Sequence, residues 1–125
     1  MTFVQAVVFS NSQTEVGLLA DSLKGRFSAL PLHSGLDLSE RVGNLKKFKA
    51  GQARVLVTTD VFGRGMDLRS ITLVVNAGLP RTQEQFVHRS GRTGRFGREG
   101  TVVSLDPDGV VEKWCAQEGW SCTVI

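Results

Sequence analysis

The chain reads as an α/β protein built on an open, mostly parallel sheet with helices on both faces. Short apolar runs alternate with amphipathic stretches along its 125 residues, the pattern of successive βαβ units. No two-residue Asn-Gly or Asp-Gly turn joins two strands; Asp108-Gly109 instead precedes a predicted helix, so hairpins are not expected. The length suits one domain with a real core, and no internal repeat, linker or low-complexity tract divides it.

Ala6-Val7-Val8-Phe9 is a short apolar run that predicts a buried strand, ending at Ser10-Asn11-Ser12. Ser12 with Glu15 three residues on has the form of a capping box. Val16, Leu19, Ala20 and Leu23 then follow at helical spacing, and Gly25 is expected to stop the helix. Ala29 to Leu32 predicts a second strand and His33-Ser34-Gly35 a turn. Asp37 and Glu40 can cap the next helix, with Val42, Leu45 and Phe48 as its apolar face and Gly51 as its end. Arg54 to Thr58 is the clearest strand, followed by the glycine-containing turn Asp60 to Asp67. Ile71 to Val75 predicts a strand ending at Asn76. Thr82 and Gln85 open a helix carrying Phe86 and Val87, and Thr101 to Leu105 predicts a further strand. A helix from about Pro107 to Gln117 and a short strand near Thr123 complete the expectation.

Hydrophobic residues make up 41% and charged residues 22%, a globular composition rather than a disordered or membranous one. The longest apolar runs fall far short of a bilayer span. Met1-Thr2-Phe3-Val4 has no basic region, so no secretory signal is expected. Cys115 and Cys122 lack paired metal-site spacing and read as reduced thiols, which predicts an intracellular protein of nucleus or cytoplasm. Charge is unevenly spread. Through Arg98 there are fourteen Lys and Arg against seven Asp and Glu, a surplus of seven. From Glu99 onward one Lys faces five acids, a deficit of four. A basic body suits a polyanion, although clustered surface charge also arises with no partner.

Ligands of open parallel sheets bind at the carboxyl ends of the strands. Four predicted loops follow those ends: Ser10 to Ser12, His33 to Gly35, Thr59 to Asp67, and Asn76 to Pro80. Their hydroxyls, and the helix N-termini beside them, suit phosphate oxygens. Ser12 reads equally as a plain N-cap, Asp67 as a turn residue, His33 as a loop histidine, and Lys46, Lys47 and Lys49 as solvated.

The densest chemistry lies in His88-Arg89-Ser90-Gly91-Arg92-Thr93-Gly94-Arg95-Phe96-Gly97, with Arg98 next. Four arginines, three glycines and a histidine occur there with no acid between His88 and Arg98. Arg92 and Arg95, three apart, point the same way on a helix or tight helical end. Two guanidinium forks side by side suit a phosphate. The structural alternative is that these two arginines pair with acids such as Asp60 or Glu84.

This stretch resembles motif VI of the DEAD-box RNA helicases, H-R-x-G-R-x-G-R, with each fixed position matched in order. Val8 to Ser12 resembles motif IV and Thr58 to Asp67 motif V, and the likeness extends from about Ala6 to Leu105. It implies a RecA-like fold: the C-terminal one of two such domains, with ATP and Mg²⁺ bound between them and single-stranded RNA held through its phosphates. Arg92 and Arg95 match the arginine fingers on the γ-phosphate, and His88 the residue linking them to the partner domain's catalytic motifs. Gly65 and Asp67 match nucleotide contacts, Asp67 at the ribose. Ser12, Gly35, Arg41 and Thr59 match RNA contacts, and Arg64 and Arg89 interdomain contacts. A P-loop and an Asp-Glu-Ala-Asp sequence are absent from these residues, so the resemblance assigns Mg²⁺ to an N-terminal domain outside the chain. It implies a monomer with no membrane partner.

The chain departs from the family pattern at several places. Leu38 replaces the usual Gln three residues before Arg41, and Ala77-Gly78 replaces the usual Tyr-Asp. His33-Ser34-Gly35 and the Gly63 variant resemble the mRNA splicing and export branch. Two other readings stay open: a non-catalytic RNA- or protein-binding module with a RecA-like fold, and a DNA-acting superfamily 2 helicase, because phosphate contacts do not report the sugar.

Overall fold

The computed structural model describes residues 3–60, 70–91, 100–104 and 108–119. Five strands, β1 (Gln5–Phe9), β2 (Ala29–Leu32), β3 (Val55–Thr58), β4 (Ile71–Asn76) and β5 (Thr101–Ser104), form one sheet in the order β2-β3-β1-β4-β5. Every neighbouring pair is parallel. Helices α1 (Gln13–Leu23), α2 (Leu38–Lys49), α3 (Gln83–Ser90) and α4 (Val110–Glu118) alternate with the strands.

The order of the strands decides which face each helix covers. From β1 the chain moves outward to β2, then returns to β3, crosses to the other side of β1 at β4, and continues to β5. Right-handed crossovers place helices on opposite faces when they run in opposite directions along the sheet. Accordingly α1 covers one face, where Val16 and Ala20 pack with Ala6, Val8, Val55 and Val57. On the other face α2 sets Phe48, with Leu45 beside it, against Val7, Phe9, Leu56 and Val74. Val102 of β5 belongs to that second face and also touches the cluster of Phe86, Val111 and Cys115, so α3 and α4 share the face with α2. Burial on both faces explains the unbroken apolar runs of β1 and β3. Pro31 is tolerated because β2 is an edge strand.

The predicted caps form, with two differences. Ser12, Asp37 and Thr82 each accept a backbone N–H three residues on, from Glu15, Glu40 and Gln85. The reciprocal half of the box does not close at Ser12 or at Thr82. Glu15 Oε1 accepts from the Ser10 hydroxyl at 2.8 Å, and Gln85 Oε1 accepts from Arg81 N–H at 2.6 Å. Gly51 ends α2 in the left-handed region at φ 78°. There Gly51 N–H donates to Phe48 and Gln52 N–H to Lys47, the paired closure that glycine allows.

α1 ends at Leu23 with Lys24 as its right-handed cap, so the helix stops just before Gly25 as expected. Two element expectations need correction. Val42 is exposed while Leu45 and Phe48 pack inward. Successive steps of three drift about 60° backwards on a helix of 3.6 residues per turn, which rotates Val42 off the buried stripe. α4 starts at Val110, after a left-handed Gly109 with no side-chain cap, rather than near Pro107. Leu105, Pro107 and the strand expected near Thr123 lie outside the described residues. Among the described residues, no helix is long and apolar enough to cross a membrane.

At the amino-terminal edge, the buried Gln5 holds the structure shut. Its Nε2 donates to the carbonyls of Phe48 and Ala53, each at 2.8 Å, and its Oε1 accepts from the Ser70 hydroxyl. Phe48 therefore fills the core with its ring and anchors Gln5 with its backbone. Phe48→Ala is expected to lower unfolding free energy by about 3–5 kcal/mol, through lost burial and the cavity left behind. Urea unfolding followed by circular dichroism checks this, and a loss below about 1 kcal/mol would contradict the packing described.

Candidate nucleic-acid and nucleotide edge

The register of the sheet levels the strand ends. Phe9 lies beside Thr58 and Asn76, and Thr58 beside Leu32. The loops carrying Ser12, Gly35 and Thr59 thus leave the same edge from adjoining strands. Ser10 N–H donates to Thr58 O at 2.9 Å, and Gln13 Nε2 to Ser34 Oγ at 2.8 Å, joining the three loops. Asn44 Nδ2 donates to Pro31 O, fixing α2 to the end of β2.

Each expected RNA contact has a distinct setting there. Ser12 is exposed and caps α1; its Oγ accepts from Glu15 N–H at 3.3 Å, which leaves the hydroxyl proton to donate elsewhere. Gly35 donates its N–H to His33 Nδ1 at 3.1 Å. A Cβ at Gly35 would stand 2.6 Å from Gln13 Oε1 and 3.0 Å from His33 Nδ1, so a side chain there would have to displace the Gln13 amide from the turn. Thr59 is half-buried directly after β3, and its carbonyl accepts from the Thr58 hydroxyl. Arg41 sits half-buried in the first turns of α2, and its Nε is enclosed without a hydrogen-bond partner among the described residues. Leu38, one turn earlier, is exposed.

The expected nucleotide side is only partly described. His88 lies exposed in the last turn of α3. Arg64, Gly65, Asp67, Arg92 and Arg95 lie outside the described residues. Gly91 caps α3 in a right-handed conformation, and Arg92 follows it directly. Among the described residues, no group of three or more His, Cys, Asp or Glu could hold a metal ion.

Arg89 requires the main revision. The resemblance implies that it reaches towards a second domain, yet its side chain is 1% exposed and turned into this one. Nε donates to Asp60 Oδ1 at 2.8 Å and Nη2 to Asp60 Oδ2 at 2.9 Å, a two-pronged ion pair. Nη2 also donates to Asn11 Oδ1 at 2.7 Å, and Nη1 to Gly78 O at 2.7 Å and Asn76 Oδ1 at 3.2 Å. All five guanidinium protons are thereby matched, and the group lies 5.1 Å from the centre of the Phe9 ring. Asp60, a candidate structural partner for Arg92 or Arg95 on sequence alone, is committed to Arg89 and to Gln85 Nε2 at 2.6 Å.

The network extends past the arginine. Asn76 Nδ2 donates to Ser104 Oγ, and Asn11 Nδ2 to Leu79 O. Sequence reasoning misses Asn11, Asn76 and Gln85 as site residues. The available signal is that apolar strands close on polar residues at Ser10, Thr58, Asn76 and Ser104, a pattern that marks the strand ends without saying what joins them.

The open, all-parallel five-stranded sheet with helices on both faces is a RecA-like fold, shared with the solved structures that superpose on it. Residues 2–97 match the helicase conserved C-terminal domain. The chain belongs to that family and is the C-terminal RecA-like domain of a DEAD-box helicase. Among curated relatives, the ATP-dependent RNA helicase FAL1 of Candida albicans is 42% identical over 106 residues, covering 84% of this chain and 27% of the relative. The chain thus spans about a quarter of that protein's length. Among solved structures, an S. cerevisiae Dbp5 variant bound to a Gle1 variant and IP6 superposes with TM-score 0.85 at 31% identity, covering 95% of this chain and 33% of Dbp5. S. cerevisiae Dbp5 bound to RNA and ADP BeF3 gives TM-score 0.83 at 29% identity, with 94% and 33% covered.

Removing the Arg89 side chain should leave Asp60 unpaired and the acceptors on Asn11, Asn76 and Gly78 without their donor. Arg89→Ala is expected to cost about 3 kcal/mol or more, towards the low end because Asp60 is 40% exposed. Arg89→Lys should recover less than half, since an ammonium has three donors and no planar fork. Urea denaturation of the three proteins checks this. A change within roughly 0.5 kcal/mol, as for an ordinary surface residue, would contradict the buried network.

Proposed function

We propose that the chain serves as the C-terminal half of an ATP-dependent RNA helicase, binding single-stranded RNA through phosphates and supplying arginine fingers to ATP. The observation that carries the RNA reading is Arg41 Nε, an enclosed donor with no acceptor among the described residues. Such a donor is costly unless a ligand completes it. A phosphate oxygen is the acceptor that suits a guanidinium. Ser12 offers a hydroxyl proton at a helix N-terminus, where the backbone also favours anions. Gly35 and Thr59 bring backbone close to the same edge. Contacts of this kind hold RNA without reading its bases.

The nucleotide reading rests on the matched H-R-x-G-R-x-G-R pattern. Arg92 and Arg95 would place two planar cations on phosphate oxygens, with His88 linking them to a second RecA-like domain and Arg64 joining the two. Gly65 and Asp67 would approach the nucleotide, Asp67 by accepting from the ribose. ATP when bound supplies the transferable phosphoryl group, and Mg²⁺, held by the other domain, neutralises its charge. Closure of the two domains around RNA and ATP would favour a bent single strand over a duplex. The variants at His33 to Gly35 and Gly63 favour a role in mRNA splicing or export.

The RNA part is tested by the salt dependence of binding to a single-stranded oligouridylate. Arg41→Ala should lower the slope of log K against log salt by roughly 0.7, one phosphate contact. An unchanged slope would make Arg41 a surface residue. The finger part is tested in a two-domain protein carrying this chain. Arg92→Ala should reduce ATP turnover roughly 10³- to 10⁵-fold with little change in melting temperature. A turnover loss that only follows the folded fraction would point to a structural arginine instead.

A further inference from the structure

Arg89 grips both sides of the proposed RNA edge. Asn11, which takes one of its Nη2 protons, immediately precedes Ser12. Asp60, which takes Nε and the other Nη2 proton, immediately follows Thr59. The two loops leave neighbouring strands at one level, Phe9 beside Thr58. A guanidinium is planar and its donor directions are rigid, so one buried group fixes where the two loops stand relative to each other. We propose that Arg89 is a positioning residue for RNA, setting the separation of Ser12 and Thr59 through Asn11 and Asp60 so that both meet phosphates of one strand. This role rests on the proposed binding of RNA at that edge.

Close packing supports the positioning role. Gly78 supplies the carbonyl that accepts from Arg89 Nη1, at 2.7 Å. A Cβ at Gly78 would stand 3.0 Å from both the backbone N and the Nδ2 of Asn11. The loop after β4 and the loop after β1 therefore touch where Arg89 joins them. Asn11 is held by a hydrogen bond from Arg89 and by its own donation to Leu79 O, and only a residue without Cβ at position 78 leaves it that place undisturbed. Arrangement before binding lowers the ordering cost that a phosphate contact must otherwise overcome.

Gly78→Ala is the discriminating variant, because it retains each hydrogen-bonding group of the clamp and only displaces Asn11. It is compared with Asn11→Ala, Ser12→Ala, Thr59→Ala and the double variant Asn11→Ala/Ser12→Ala. Binding to a single-stranded oligouridylate is measured across a salt series, at a temperature where circular dichroism shows every variant folded. Asn11→Ala and Gly78→Ala should each weaken binding roughly 2- to 10-fold, the worth of a hydrogen bond, and lower the salt slope by about 0.7 for each phosphate no longer engaged. Ser12→Ala should add less in the Asn11→Ala background than alone, because its hydroxyl is already misplaced. If Ser12→Ala and Thr59→Ala weaken binding while Asn11→Ala and Gly78→Ala bind with the original slope, the positioning role is overturned and the RNA edge stands. If Ser12→Ala and Thr59→Ala also leave binding unchanged, the RNA edge itself is misassigned and the positioning role falls with it.

Discussion

A buried guanidinium survives in a protein interior only when its charge is paired and its protons are matched. Arg89 meets that condition by drawing acceptors from the loop after β1, the loop after β3, the end of β4 and the turn beyond it. Each of those segments supplies one or two of the five acceptor contacts. Satisfying the arginine therefore ties the loops to one another. Through Asn76 the same network reaches Ser104 on β5, and through Asp60 and Gln85 it reaches Arg81 before α3. The carboxyl edge from β3 to β5 is organised around one side chain.

The two edges of the sheet are held differently. At the amino edge Gln5 closes the ends of α2, β3 and β4 with hydrogen bonds to Phe48, Ala53 and Ser70. Its amide is satisfied within the domain. At the carboxyl edge, Arg41 keeps an enclosed donor without a partner among the described residues, and Ser12 keeps a hydroxyl proton to give. The parallel sheet, apolar on both faces, confines such groups to its ends. The change of direction at β1 then gathers loops from both halves of the sheet at one of those ends.

Much of this was legible in the chain. Five of the predicted strands and four helices are present, because buried parallel strands write unbroken apolar runs and Ser12, Asp37 and Thr82 mark helix starts. Local signals failed where a neighbour competed. Ser10 took the carboxylate of Glu15, and Arg81 N–H took the amide oxygen of Gln85 that a capping box would use. Val42 satisfied a spacing rule and still fell on the exposed side, since the core of α2 centres on Phe48. The motifs at Ser12, Gly35, Arg41 and Thr59 were visible as spacing and residue type, and their common level required the strand register.

Composition, periodicity and the order of motifs determined the α/β class, the parallel sheet and the family, because each depends on residues close together in sequence. The direction of each arginine did not follow from them. Arg89, Arg92 and Arg95 recur at intervals of three and look alike in the sequence. Arg89 turns inward because α3 packs through Phe86 and presents that position to Asp60, 29 residues away, and to Asn11, 78 residues away. Side-chain satisfaction across such separations is set by how strands and helices stack, and only the tertiary structure could decide that Arg89 became part of the fold.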